Sequence, residues 1–196
     1  MKDYKTAMMD YHQAIAIDAN YKIAYNNRGI TKAALGNYAG AINDYDKAIE
    51  LAPQYKSAYN NRGLAYAALY QYQKAIDDYN TVIELAPNYK LAYNNRGIAK
   101  IALNNYRGAI ADFDRAIDID QNYKAAYKNR GVARATTANY KGAINDFDKL
   151  IELQPNDVTA YTHKGSALAA LSKYQDAIDA FTKAIELDTI NKSAYN

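Results

Sequence analysis

Apolar residues along this chain return at the spacing of a single helix face. Between Lys22 and Leu35, Tyr25, Gly29 and Ala33 fall on one stripe at i, i+4 and i+8. A break at Gly36-Asn37 follows, and a second stripe of Tyr38, Ala41, Ile42, Tyr45, Ala48 and Ile49 runs over a helix from about Ala39 to Ala52. The pattern predicts a helix A, a tight turn and a helix B. Pro53, Pro87 and Pro155 fall just past the B helices, where proline stops a helix without breaking its hydrogen-bond ladder.

The same unit recurs every 34 residues: YNNRG begins at Tyr25, Tyr59 and Tyr93, and YKNRG at Tyr127 and YTHKG at Tyr161 continue the column. Such a period predicts a solenoid, in which each unit buries its apolar face only by stacking on its neighbours. With Lys22 at position 1, the frame gives repeats at 22–55, 56–89, 90–123, 124–157 and 158–191. A partial repeat of helix B alone, 1–21, precedes them, and 192–196 begins another, all within one solenoid domain. Gly29, Gly63, Gly97, Gly131 and Gly165 sit inside helix A. Glycine costs a helix about 1 kcal/mol relative to alanine, so a close helix approach is the expected compensation. Small Ala41, Ala75, Ala109, Ala143 and Ala177 recur on helix B, with Tyr or Phe at 45, 79, 113, 147 and 181 to fill the space that the small residues leave.

Composition narrows the function. The 24 Lys and Arg against 21 Asp and Glu leave +3, spread in mixed-sign segments, so neither nucleic acid nor an anionic membrane is the expected partner. With no cysteine there is no disulfide or thiolate metal site, and no cofactor is implied. No apolar run nears the roughly 20 residues that cross a bilayer. The start of the chain reads as an amphipathic helix rather than a signal peptide, which favours the cytoplasm while leaving the compartment open. His12 and His163 lie far apart in the repeat frame and no nucleotide-loop or metalloprotease spacing occurs, so the chain is read as no enzyme.

Tyr, Gly, Ala, Tyr or Phe, Ala and Pro at repeat positions 4, 8, 20, 24, 27 and 32 resemble the tetratricopeptide repeat over essentially the whole chain. The resemblance implies an all-α, right-handed α-solenoid of antiparallel helix-turn-helix hairpins that binds another protein or peptide in its concave groove. The chain departs from the pattern at position 7, where Arg28, Arg62, Arg96, Arg130 and Lys164 stand for the usual leucine, and at Gln121 and Thr189, which replace the proline. Thr136-Thr137 puts β-branched residues late in one helix A, and that hairpin is expected to be the most mobile interior one.

The resemblance also places position 6 of helix A in the groove, which would align Asn27, Asn61, Asn95 and Asn129 as a ladder able to hydrogen-bond an extended peptide backbone. Asn26, Asn60, Asn94 and Lys128 stand beside them at position 5, with His163 in the last repeat and Ile30, Leu64 and Ile98 adding aliphatic contacts. The alternative is that the asparagines are solvated or cap local backbone. A carboxylate clamp would need cations that this chain lacks outside Lys128. Arg62 is expected to pair with Asp44 of the preceding repeat, and its counterparts likewise, the alternative being two separate solvated faces. Most tyrosines lie on packing stripes, while Tyr21, Tyr55, Tyr89 and Tyr123 at the joints are left open. A second functional reading is a repeat array that self-associates head-to-tail through uncapped ends.

Overall fold

A computed structural model describes residues 4–194, with the side chains of 4–189. The described residues form eleven helices and no strand. They divide into two compact units, residues 1–103 and 104–196. In the first, α1 (Tyr4–Ile17) leads into hairpins α2 (Lys22–Ala34) with α3 (Tyr38–Leu51) and α4 (Lys56–Ala68) with α5 (Tyr72–Leu85), then α6 (Lys90–Ala102). In the second, α7 (Tyr106–Ile119) precedes α8 (Lys124–Thr136) with α9 (Tyr140–Leu153) and α10 (Val158–Ala170) with α11 (Tyr174–Ala194). Within each unit every helix packs on the next, and α2 with α4, α4 with α6, and α8 with α10 also touch.

The glycine and aromatic columns meet as their sizes require. A Cβ added to Gly63 would sit 2.7 Å from a ring carbon of Tyr79, and the same collision faces Gly29 with Tyr45, Gly131 with Phe147 and Gly165 with Phe181. Each hairpin therefore closes by laying helix A backbone directly on a helix B ring. Tyr45, Tyr79, Phe113 and Phe147 are among the largest fully buried side chains, and burial pushes the Tyr45 and Tyr79 phenols above their usual pKa.

The turn from helix A to helix B needs one left-handed residue. Gly36 fills it with φ 79°, and its equivalents are Tyr70, Asn104, Ala138 and Ser172, all near φ 60°. The geometry is a Schellman closure in which Asn37 N–H donates to Lys32 O at 2.9 Å and Gly36 N–H to Ala33 O at 2.9 Å. Asn37, Asn105 and Asn139 then cap α3, α7 and α9 by accepting from the amides of Gly40, Gly108 and Gly142. Thr136 ends α8 and Thr137 caps it, their hydroxyls donating back to Val132 O and Ala133 O.

The arginine column pairs in a different register from the expected one. Arg62 does not meet Asp44: it forks onto Asp78 of its own hairpin, at 2.6 and 3.0 Å, and reaches Asp46 of the preceding hairpin at 2.6 Å. Arg28 forks onto Asp44 in the same way. Arg130 holds Asp146 at 2.5 Å and Asp114 at 2.6 Å. The reason is side-chain reach. The aspartate sixteen residues ahead faces the arginine across the hairpin and is buried, whereas the contact to the preceding hairpin falls one half-turn further along helix B, on an exposed carboxylate. Burial pushes the Asp78 carboxyl up, against the pull of Arg62. Burial also works against the Arg62 charge, but its hydrogen bonds to Asp78 and Asp46 more than offset this and hold the guanidinium above its usual pKa.

Candidate functional site

In the first unit the second turns of helices α2, α4 and α6 bring the asparagines together. Asn26, Asn60 and Asn94 are 4–7% exposed, while Asn27, Asn61 and Asn95 are half-buried beside them. The two columns are stitched to each other across neighbouring A helices. Asn61 Nδ2 donates to Asn26 Oδ1 at 3.0 Å, and Asn95 Nδ2 donates to Asn60 Oδ1 at 3.4 Å. Asn26 in turn donates to Asn27 Oδ1 at 3.2 Å. The seam answers the question that asparagine inside a helix raises: a poor helix former is placed where its amide satisfies a buried amide of the preceding hairpin.

One turn beyond the seam, Ile30, Leu64 and Ile98 stand 45–46% exposed. Between α2 and α4 their flanks open into a pocket of about 180 Å³, with Tyr38 and Tyr45 among its walls and Asn61 and Leu64 at its edge. In the second unit, a pocket of about 320 Å³ is lined by the corresponding residues Val132, Ala135, Tyr140, Phe147, His163 and Ser166. The His163 ring stacks on Phe147 with centroids 5.5 Å apart. Burial, helped by Lys128, moves the His163 pKa below its usual value, with Asp157 pulling the other way. Lys128 and Asn129 are half-buried, and the Lys128 charge also acts on Asp157. The residues expected in one groove thus fall in two sets: an asparagine seam with an aliphatic ridge in the first unit, and Lys128, Asn129 and His163 in the second.

The pockets were not foreseen from the sequence. Their walls are residues at positions 9 and 12 of one helix A, 17 and 24 around its helix B, and 6 and 9 of the next helix A, and only folding brings those columns to one place. A larger cavity of about 460 Å³ in the second unit lies among α9, α10 and α11, where Lys164 and Asp148 on its wall neutralise each other at 2.6 Å. Among the described residues, no group of His, Asp or Glu is arranged to hold a metal ion, and no helix is long and apolar enough to cross a membrane.

Two family models match this chain: one described as TPR repeat over residues 31–69, and one described as tetratricopeptide repeat over residues 57–89, 91–123 and 158–188. No curated protein matches by sequence. Among solved structures, MamA is similar at 26% identity and a TM-score of 0.80, covering 86% of this chain and 97% of that one. YrrB, described as a TPR protein with an unusual peptide-binding site, is 22% identical with a TM-score of 0.76, covering 90% of this chain and 91% of that one. A tetratricopeptide repeat protein from Parabacteroides merdae is 23% identical with a TM-score of 0.79, covering 94% and 73%. The last two are likenesses of fold. With family models matching residues 31–89, 91–123 and 158–188, more than half of its length, and with successive helices packed within each unit, the chain belongs to the tetratricopeptide repeat family, whose all-α solenoid fold is typical of scaffolds for protein–protein interaction.

Proposed function

We propose that the chain is a non-catalytic scaffold that holds an extended segment or helix of a partner protein against its A helices. The observation that carries this reading is the exposed ridge of Ile30, Leu64 and Ile98, set beside a column of half-buried asparagines and opening into side-chain-sized pockets. Apolar side chains of a ligand have pockets to enter, and its backbone amides have Asn27, Asn61, Asn95 and Asn129 to meet. Asn61 and Asn95 each use one amide N–H within the seam, which leaves the second N–H and a lone pair of the carbonyl oxygen to offer a ligand.

The test is a peptide-array screen of the wild type against two variants. One changes Ile30, Leu64 and Ile98 to serine; the other changes Asn27, Asn61, Asn95 and Asn129 to alanine, both after circular dichroism shows unchanged helicity. Loss of the selected ligands in the first variant is expected. Ligands that persist in both variants would place binding on another face. A second reading, end-to-end self-association, is favoured by the exposed Met9 and Ile17 on α1 and Tyr174, Ile178 and Ile185 on α11. Light-scattering mass that grows with protein concentration would support it, and a constant monomer mass would remove it.

A further inference from the structure

We propose a second docking surface, separate from the asparagine ridge: a row of alternating tyrosine and lysine along the starts of α2, α4 and α6 that takes an acidic, extended polypeptide segment. Tyr21, Tyr55 and Tyr89 immediately precede these helices, and Lys22, Lys56 and Lys90 are their first residues. The row is continuous across the joints between repeats. Lys22 Nζ lies 5.7 Å from the Tyr55 ring centroid and Lys56 Nζ lies 5.5 Å from that of Tyr89. Tyr21, 42% exposed, heads the row, and both Lys22 and Lys56 are exposed. At the second joint a cavity of about 290 Å³ is lined by Lys56, Pro87, Asn88 and Tyr89.

Charge is divided between the helix layers in a way that favours this partner. None of the chain's Asp or Glu residues lies within α2, α4, α6, α8 or α10. The deeper cations of those helices face carboxylates on the B helices, as Arg28 and Lys32 do with Asp44 and Arg62 does with Asp78. Lys22 and Lys56 instead lie over tyrosine rings, where the ammonium groups keep an open side toward solvent. An anionic segment laid along the row meets the exposed ammonium groups of Lys22 and Lys56 and the tyrosines beneath them.

Helix stability does not account for the row. A lysine in the first turn opposes the helix dipole, and α2, α4 and α6 have no side-chain cap. In the second unit, where α10 starts at Asp157-Val158 instead of a Tyr-Lys pair, ordinary capping is found: Asp157 accepts from the amides of Thr159 and Ala160. The row is also one residue wide, with Asp18, Glu50 and Glu84 close by in sequence at the ends of the preceding helices. A single extended polypeptide fits beside those carboxylates. A nucleic acid or an anionic bilayer, broad and densely charged, would meet them.

The experiment is fluorescence anisotropy with the full chain and a labelled glutamate-rich dodecapeptide. A lysine-rich peptide, a single-stranded oligonucleotide and phosphatidylserine vesicles serve as the other arms. Lys22→Glu with Lys56→Glu is compared with Lys47→Glu plus Lys149→Glu, which changes net charge equally on the B helices. Glutamate at a first helical position suits the dipole, so the first variant should remain folded. The expected result is salt-sensitive binding of the acidic peptide that weakens about tenfold or more in the first variant and less than about twofold in the second. Three results overturn the proposal: no binding of the acidic peptide at low salt, equal weakening in both variants, or preference for the oligonucleotide or vesicles. Loss of acidic-peptide binding in the variant with Ile30, Leu64 and Ile98 changed to serine overturns it too, because the peptide would then sit on the aliphatic ridge; the reading of that ridge stands or falls on its own screen.

Discussion

Replacing Gly63 by alanine sets two effects of known sign against each other. Alanine is the better helix former by about 1 kcal/mol, so on propensity alone the variant should be more stable. The new methyl, however, would lie 2.7 Å from Tyr79 Cε1 and 3.0 Å from Cζ, where ordinary contact begins at 3.4 Å. Roughly 0.7 Å must be found, on the steep repulsive side of the potential. Tyr79 is 1% exposed and ring-stiff, and Ala75, Ile76 and Ala99 pack around it, so the displacement must be shared with the hairpin backbone. Overpacking costs about 1–3 kcal/mol, and an overlap of this size against a fully buried ring takes the upper part of that range, about 2–3 kcal/mol, so a net loss of about 1–2 kcal/mol remains after the propensity gain. For a chain of this size that is about 2–8 °C in melting temperature. Urea unfolding followed by circular dichroism reads it directly. Gly40→Ala is the comparison at a softer contact: its Cβ meets only the side chain of exposed Asn37, which can swing aside, and the loss of that α3 cap, about 1 kcal/mol, is offset by the propensity gain. A Gly63→Ala protein as stable as the wild type or more so would refute the claim that the glycine column exists for close approach.

Three further outcomes follow from the same geometry. Ala138→Gly should raise the urea midpoint by about 0.5–1 kcal/mol equivalent, since Ala138 holds φ 60° at a turn that Gly36 occupies without strain. Arg62→Leu should cost about 3 kcal/mol by stranding Asp78, whereas Asp46→Asn, at an exposed partner, should cost under about 1 kcal/mol. In Arg62→Leu the raised Asp78 pKa makes the loss small at acid pH and larger as pH rises through the folded-state value, which denaturation across pH 3 to 8 tests. For Asp157, burial pushes the pKa up, but hydrogen bonds from the Thr159 hydroxyl and the amides of Ala160 and Thr159 bring it below the usual 3.8. Its cap therefore contributes stability above that value and loses it as pH falls through the lower folded pKa, so Asp157→Ala should cost about 1 kcal/mol at neutral pH and little at pH 2.

The helices were legible because their signals are local. Gly36-Asn37 marks a break and Pro53 an end, and the glycine and aromatic columns had to meet if the hairpin was to close. The arginine register was not legible for a reason inherent in repeats. Any two columns with a common period offer an intra-hairpin and an inter-hairpin partner at once, and only the rotation of helix B selects Asp78 for Arg62 and turns Asp46, not Asp44, toward it. Turn positions at Tyr70, Ala138 and Ser172 were hidden because their residue types do not announce a left-handed conformation. The burial of Asn26 against the half-burial of Asn27 likewise depends on where a neighbouring A helix lies, which adjacent identical residues cannot encode.

That distinction between columns says where selectivity resides under the proposed reading. The residues that hold a hairpin together change little from repeat to repeat: glycine against Tyr45, Tyr79 or Phe147, and a buried aspartate under a guanidinium. The residues that meet a ligand change. Asn61 and Leu64 edge the pocket in the first unit, whereas His163 and Ser166 edge its counterpart in the second, and the volume rises from about 180 to about 320 Å³. Ser166 in place of leucine removes an aliphatic wall, and His163 covers the floor with a flat ring stacked on Phe147. The second pocket therefore suits a bulkier side chain than the first, and burial keeps its imidazole uncharged over more of the acid range than an exposed histidine would be. Under this reading ligand choice rests on positions 6 and 9: position 9 varies without disturbing the buried columns, whereas position 6 changes together with its partner at position 5 of the preceding repeat, Asn61 and Asn26 giving way to His163 and Lys128.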